Sequence, residues 1–442
     1  MHTYHTRRAS RGHALRAVVL ATALGSLAAC DFSVTNPGPT ADKFLTDTLS
    51  LVAQVNGVAY TLGDGMNYQV LHSAVAAREL FPTGQSGQFG IEPRNWVGFL
   101  VTEEQSTPWN SLSRARWLSD QSIVRLKSVL GDAAFAKHPV AAQGLIWRGF
   151  TYRVLGEAMC VSIVDGGPAT PSRDNLVRAE SAFTAAITVA TAASAAATGT
   201  TAATMANLVN AAYAGRAQVR VDLGDWTGAV SDAARVPTTF KYLMPYYSNV
   251  DEFGYNRTMW SSTSLSFYKA TSVWGTWYAK YYDSSRDPRV AYTQTALTGA
   301  GAFPPVGRVP WWPQAKYVSQ TAGVTLASGR EARLIEAEAA LRNSDIATAM
   351  AKIDANRASA GAPVAARPAT LADAWTLLKQ ERGIEFWLEG RRLSDMRRWT
   401  ATQTPGSLDP LEIPGATSYL EGQNTCFPVS REETNTNPNL TP

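Results

Sequence analysis

Small and apolar positions recur at helical spacing through much of this chain. From Asn207 to Val221 the repeat is carried by Leu208, Ala211, Ala212, Gly215 and Val219. Leu223-Gly224-Asp225-Trp226 reads as a turn that caps a second helix. Ala229, Val230, Ala233 and Ala234 line the packed face of that helix, and Pro237 stops it. A weaker copy of the pattern runs from Arg330 to Arg342, turns at Asn343-Ser344-Asp345 and resumes from Ile346 to Arg357. Leu145–Met159 and Leu176–Ala190 form a further candidate hairpin. Alanine lets helices approach closely, so these faces suit stacked pairs.

Helix, Leu-Gly-x-aromatic turn and second alanine-lined helix together resemble a tetratricopeptide unit. Between Ala192 and Ala203 an Ala/Thr/Gly stretch interrupts the pattern and reads as a loop or frayed helix end. The middle of the chain is different in kind. From Phe240 to Trp312, 18 of 73 residues are aromatic, against 10% overall, and Gly, Pro, Ser and Thr break the periodicity. Trp274, Trp277, Tyr278, Tyr281 and Tyr282 are the exception, spaced to share one side of a helix. Trp311 and Trp312 sit between Pro310 and Pro313, where the chain is stiff and extended. Irregular aromatic excursions from a helical scaffold are where binding surfaces tend to lie. The expected architecture is therefore mainly α, a scaffold of helical hairpins bearing an irregular, aromatic-rich ligand-binding region at about 240–328.

The N-terminus supplies an address. Arg7, Arg8, Arg11 and Arg16 precede an apolar run from Ala17 to Leu27, then Ala28-Ala29-Cys30. Basic start, short apolar run and small residues before a cut make a secretory signal, and the run is too short for a membrane-spanning helix. The cysteine after Leu-Ala-Ala resembles a bacterial lipobox. The expectation is a lipoprotein signal over 1–29, a lipidated Cys30 with a tether over 30–45, and one domain over 46–442. Cleavage also removes four arginines and no acids, leaving 36 basic against 36 acidic residues. That neutral balance speaks against nucleic acid, whose phosphates need a basic face. Only His72 and His138 remain of five histidines, so a histidine-based zinc or di-iron site is not expected, and no metal ligand or cofactor is assigned. Cys160 and Cys426 are the other cysteines; an exported protein allows a disulfide between them, and two separate buried thiols are the alternative.

Near the C-terminus, Leu377 to Trp399 concentrates charge. Glu381, Glu385 and Glu389 fall at i, i+4 and i+8, one stripe of a helix, with Arg382, Arg391, Arg392, Arg397 and Arg398 close by. Carboxylates four apart repel on an isolated helix, and arginine forks match them bidentately. An expected structural ion-pair network therefore comprises Glu381, Glu385, Glu389, Arg391 and Arg392. This segment closely resembles the late helical signature of the SusD-like (RagB/SusD) family of outer-membrane lipoproteins. Ser328–Ala339, Asn356-Arg357 with Gly361, Cys426–Ser430 and Asn437-Pro438-Asn439 match the family pattern in the same order.

The resemblance implies a tetratricopeptide-like core and a lipid-anchored protein of the outer membrane, facing the cell surface. It also implies a role: binding glycans or other oligomeric nutrients and handing them to a TonB-dependent, SusC-like transporter without catalysis. Sugar rings stack their C–H faces on Trp and Tyr while hydroxyls seek polar partners. The ligand-binding candidates are Trp274, Trp277, Tyr281, Trp311 and Trp312, with Trp96 in the polar loop region near Glu92–Asn95. Two rival readings remain: an exported glycoside hydrolase using carboxylates such as Glu252, Asp283 or Asp287, and a purely structural docking lipoprotein. No Gly-x-Ser-x-Gly or His-Glu-x-x-His motif supports catalysis.

Overall fold

The computed structural model describes residues 48, 50–83, 95–96, 98, 100–102, 106–248, 254–257, 259–260, 269–299, 301, 307–412 and 426–440. The signal segment, Cys30 and its tether lie outside the described residues, as does Glu252. Among the described residues are twelve α-helices and six short strands. No described helix is long and apolar enough to cross a membrane.

The first helices make an antiparallel series: α1 (Ser50–Ala76), α2 (Ser106–Phe135), α3 (Pro139–Ala158), α4 (Arg173–Ala196), α5 (Gly199–Leu223) and α6 (Trp226–Ala233). Leu51, Val55, Val58, Leu62 and Met66 of α1 are buried at helical spacing. Close approach at the centre depends on glycine. Phe183 of α4 wedges between Gly149 of α3 and Gly215 of α5, where a Cβ would sit 2.6 and 2.5 Å from the ring. Gly224 ends α5 at φ 85° and donates to the Arg220 and Val221 carbonyls; Asp225 then caps α6 by accepting from the Gly228 N–H. The alanine stretch 192–203 is not a loop. It is helical on both sides of a short turn before Gly199, because alanine has the highest helix propensity and Ala193 is buried.

The scaffold resumes with α8 (Gly329–Arg342) and α9 (Ile346–Ala360), capped by Ser328 and Asp345, followed by α10 (Leu371–Glu385) with a Thr370–Asp373 capping box. These three helices enclose a second apolar cluster around Leu334, Leu341, Ile353, Trp375 and Leu378. Helix α8 also packs on α5 and α6, so the hairpins form one stack, a tetratricopeptide-like helical scaffold. The chain then turns through Leu388 (φ 59°) and Gly390 (φ 73°) into α11 (Arg392–Ala401). Glu389 therefore lies in the turn after α10 and not on one helical stripe with Glu381 and Glu385; the left-handed Leu388 breaks the periodicity.

The irregular excursion is bracketed by a strand pair. Strand β4 (Lys241–Met244) runs antiparallel to β6 (Val324–Ser328), pairing Lys241 with Ser328 and Met244 with Val324. Between them lie β5 (Thr271–Ser272), which pairs with β1 (Phe81–Pro82), and α7 (Trp277–Ser285). Strands β2 (Val161–Ser162) and β3 (Thr170–Pro171) make a separate hairpin. Cys160 and Cys426 are joined in a disulfide, which settles the pairing. Beside it Phe427 is buried and exchanges backbone hydrogen bonds with Ala158 and Cys160, ahead of α12 (Arg431–Thr436).

Candidate functional site

Strand pairing builds the first half of an aromatic site. The β1–β5 register sets Phe81 opposite Ser272. Trp96 packs on the Phe81 ring at 4.7 Å, and Trp274 meets it edge-on at 5.3 Å. The Arg78 guanidinium lies 3.6 Å from the centre of the Trp96 ring and its Nε donates to the Trp96 carbonyl. Trp96 and Trp274 are both half-buried.

An extended ribbon supplies the second half. Thr293 N–H donates to Pro313, Trp311 N–H to Leu297, and Gly299 N–H to Val309, at 2.8 to 3.0 Å. Trp312 projects from this ribbon, half-buried, and stacks on Tyr292 at 5.5 Å with planes 19° apart. Tyr282 meets Tyr292 edge-on at 5.3 Å. Polar groups fringe the stack: Tyr292 donates to Asp283 (2.9 Å), Gln294 donates to the Tyr292 hydroxyl (3.0 Å), and Arg286 lies 3.6 Å from Asp283. Burial, followed by the bond to Asp283, pushes the Tyr292 phenol above its ordinary range, so it stays a neutral donor.

Ser272 joins the halves. Its buried hydroxyl oxygen accepts from the backbone N–H of Trp312 (2.9 Å) and of Trp274 (3.1 Å), and the hydroxyl donates to the Pro310 carbonyl (2.9 Å). Val273 N–H adds a bond to the Trp312 carbonyl at 2.9 Å. Two half-buried tryptophans, 38 residues apart in sequence, thus share one anchor.

The six aromatic candidates do not share one environment. Trp96, Trp274, Trp312 and Tyr281 are half-buried, whereas Trp277 and Trp311 are each only 5% exposed. Trp274 precedes α7, which starts at Trp277 behind the Thr276 cap, so the five-residue stripe is not continuous. Trp277 stacks on Tyr281 at 5.1 Å, and Tyr278 stacks on the buried Trp387. The Tyr281 hydroxyl donates to Asp287 (3.1 Å) and accepts from Arg357 (3.2 Å). Phe81, Tyr292 and Ser272 were not among the candidates. Tyr292 follows Val290-Ala291 with no helical or alternating pattern to mark it, and Phe81 and Ser272 acquire their roles only through strand pairing.

The charged residues are densely paired. Glu381 accepts from Arg289 at 3.1 Å and pairs with Arg357; Glu385 pairs with Arg330 (2.8 Å) and Arg289 (3.5 Å). Glu389 meets Lys316 at 2.9 Å, Arg391 bridges Glu331 (2.8 Å) and Glu157 (3.2 Å), and Arg392 meets Glu412 at 2.5 Å. Asp287 is fully buried and held in a two-point bond by Arg289. Burial would raise its carboxyl, but Arg289 overrides this and holds it below the ordinary range. Asp283 is exposed and bound to Tyr292. Among the described residues no three His, Cys, Asp or Glu side chains gather where they would hold a metal ion.

Residues 331–441 match the SusD family. No curated protein sequence matches the chain. Solved structures share its fold at low identity. A SusD superfamily protein from Bacteroides vulgatus is 14% identical with a TM-score of 0.63, over 90% of this chain and 98% of that one. A SusD-like carbohydrate-binding protein from the same species is 15% identical with a TM-score of 0.53, over 78% and 83% of the two chains. A further structure, solved with a xylogluco-oligosaccharide, is 14% identical with a TM-score of 0.59, over 88% and 98%. Residues 331–441 thus carry the C-terminal signature of the SusD family, and the described chain shares the fold of SusD-like structures.

Proposed function

We propose that this protein is an outer-membrane lipoprotein that binds oligosaccharides on the Trp96–Trp274–Trp312 face. It passes them, unaltered, to a partner TonB-dependent transporter. The observation that carries the reading is the shared Ser272 anchor, which holds Trp274 and Trp312 half-buried, with Trp312 stacked on Tyr292, whose hydroxyl meets Asp283 and Gln294. Flat indole faces with hydrogen-bonding groups at their edge match the two surfaces of a sugar ring. The SusD-like fold and the oligosaccharide bound to one similar structure support the ligand class. A shallow platform suits release to a transporter better than deep enclosure. Trp277 and Trp311 are buried and are not part of the proposed face; Tyr281 is half-buried and stacks on Trp277.

The test is a calorimetric screen of the full chain, purified in detergent, against neutral oligosaccharides and peptides, with product analysis of every hit. Binding of an oligosaccharide without cleavage, lost on Trp312→Ala, is the expected result. Cleavage, or binding indifferent to Trp274 and Trp312, overturns the reading. The anchor is tested separately: Cys30→Ser releases the protein from membranes, and unchanged membrane fractionation refutes lipidation at that residue.

A further inference from the structure

A second cleft, apart from the aromatic face, opens where β4, α8 and the end of α10 meet. Its volume is about 280 Å³, and Lys241, Arg289, Lys316, Arg330, Glu385 and Glu389 line it. A neighbouring hollow of about 170 Å³ shares Lys241 and Arg330. The charges here do not balance. Arg289 is taken up by Asp287, Glu381 and Glu385; Arg357 by Glu381; Arg330 by Glu385; and Lys316 by Glu389. Five cations, Lys241 included, therefore face four carboxylates. Lys241 is the one left over, with no hydrogen bond or ion pair from its ammonium among the described residues. Its backbone is fixed by pairing with Ser328, and its exposed side chain lines the mouth of the cleft.

We propose that this cleft is a subsite for a single carboxylate, carried on a uronic acid unit of the ligand. The anion supplies the missing partner of Lys241, with Arg330 beside it as a second donor. Although the residue as a whole is exposed, partial burial of its ammonium depresses it together with Arg330 and Lys316, against the pull of Glu389 and Glu385. The ribbon that carries Trp312 and Tyr292 continues to Ala315 and Lys316, where Ala315 N–H bonds the Ala291 carbonyl. The ribbon bends at Ala315 and Lys316, which brings Lys316 to the cleft. The uronate form rests on the oligosaccharide reading above; the charge argument does not.

The experiment titrates the full chain in detergent with glucuronate, with glucose as the neutral counterpart, for wild type, Lys241→Met and Lys241→Arg. Wild type binds glucuronate and not glucose, Lys241→Met weakens it at least tenfold with unchanged thermal unfolding, and Lys241→Arg restores it. Absence of glucuronate binding, or binding unchanged in Lys241→Met, overturns the proposal. A Trp274→Ala/Trp312→Ala variant separates the two sites, since it loses neutral oligosaccharides but keeps glucuronate. A wild type that binds neutral oligosaccharides and ignores glucuronate refutes this subsite alone.

Discussion

The hydroxyl oxygen of Ser272 lies 2.9 Å from the backbone nitrogen of Trp312 and accepts its hydrogen bond, in a position only 1% exposed. Because the same oxygen accepts from Trp274, one small side chain sets the spacing of two platform rings. Ser272→Ala strands two donors and the Pro310 acceptor, at a cost of about 1–3 kcal/mol. The expected outcome is a modest loss of stability in chemical denaturation with a several-fold weaker oligosaccharide affinity. Full affinity in a destabilised Ser272→Ala would uncouple the frame from binding.

Glu381 is the most consequential carboxylate of the C-terminal network. It pairs with both Arg289 and Arg357, and all three are buried. Glu381→Ala leaves two guanidinium groups short of a partner in a low-dielectric setting, where breaking a buried pair costs about 3–5 kcal/mol. Glu389→Ala is milder, because Lys316 is partly exposed and keeps its 2.6 Å bond to the Trp387 carbonyl. Denaturant midpoints of the two variants should therefore separate clearly. Equal losses would show that position in the turn after α10 does not matter.

Legibility followed sequence distance. The hairpins were readable because their signals are local: small residues at helical spacing, Gly224 at a left-handed cap, and Asp225 and Asp345 at helix starts. Glu381 and Glu385 announced paired charge, but their actual partners Arg289, Arg330 and Arg357 lie outside the arginine cluster around 391–398. Glu389 was misplaced because nothing in Leu388 signals a positive φ. In the aromatic segment, composition marked the region but not the rings. Trp311 and Trp312 are adjacent, yet one is buried and the other stacks half-exposed on Tyr292, since alternate residues of an extended ribbon face opposite ways. Ser272 and Phe81 carry no local signal, because both depend on a strand pairing across 190 residues.

Cys160 and Cys426 close a loop of 266 residues by a bond that ties the C-terminal segment to the end of α3. A cross-link of this span restricts the unfolded chain, and removing a native disulfide typically costs about 2–5 kcal/mol. Cys160→Ser/Cys426→Ser should unfold at lower denaturant and lose residues 426–440 first to limited proteolysis, because the cross-link is the covalent tie of that segment to α3. Proteolysis beginning within the helical hairpins instead would place the stabilising effect elsewhere.

Stability should peak in mildly acidic solution and decline as pH rises. Glu79 is fully buried, its Oε1 accepts from the Leu388 N–H, and its Oε2 has no partner among the described residues. Burial pushes its carboxyl from 4.5 up to about 8, against the opposing pull of Arg392 and Leu388. Between those values the folded chain holds a proton that the unfolded chain releases, so stability falls as pH climbs through the interval. Asp222, raised to about 7 by burial and then by Glu157, acts in the same direction. On the acid side the sign reverses. Arg382 and Arg398 hold Asp395 low, and Arg391 and Arg153 hold Glu331 low, in both cases against the effect of burial. Their contribution is present above the ordinary carboxylate range and is lost as pH drops through the depressed values. Thermal unfolding from pH 3 to 9 should therefore show a maximum near pH 5. Glu79→Gln, which removes the titrating proton and retains an acceptor for Leu388, should flatten the descent between pH 5 and 8. A wild-type Tm at pH 8 equal to that at pH 5, or a descent unchanged in the variant, would show that Glu79 is ionised in the folded protein throughout this range.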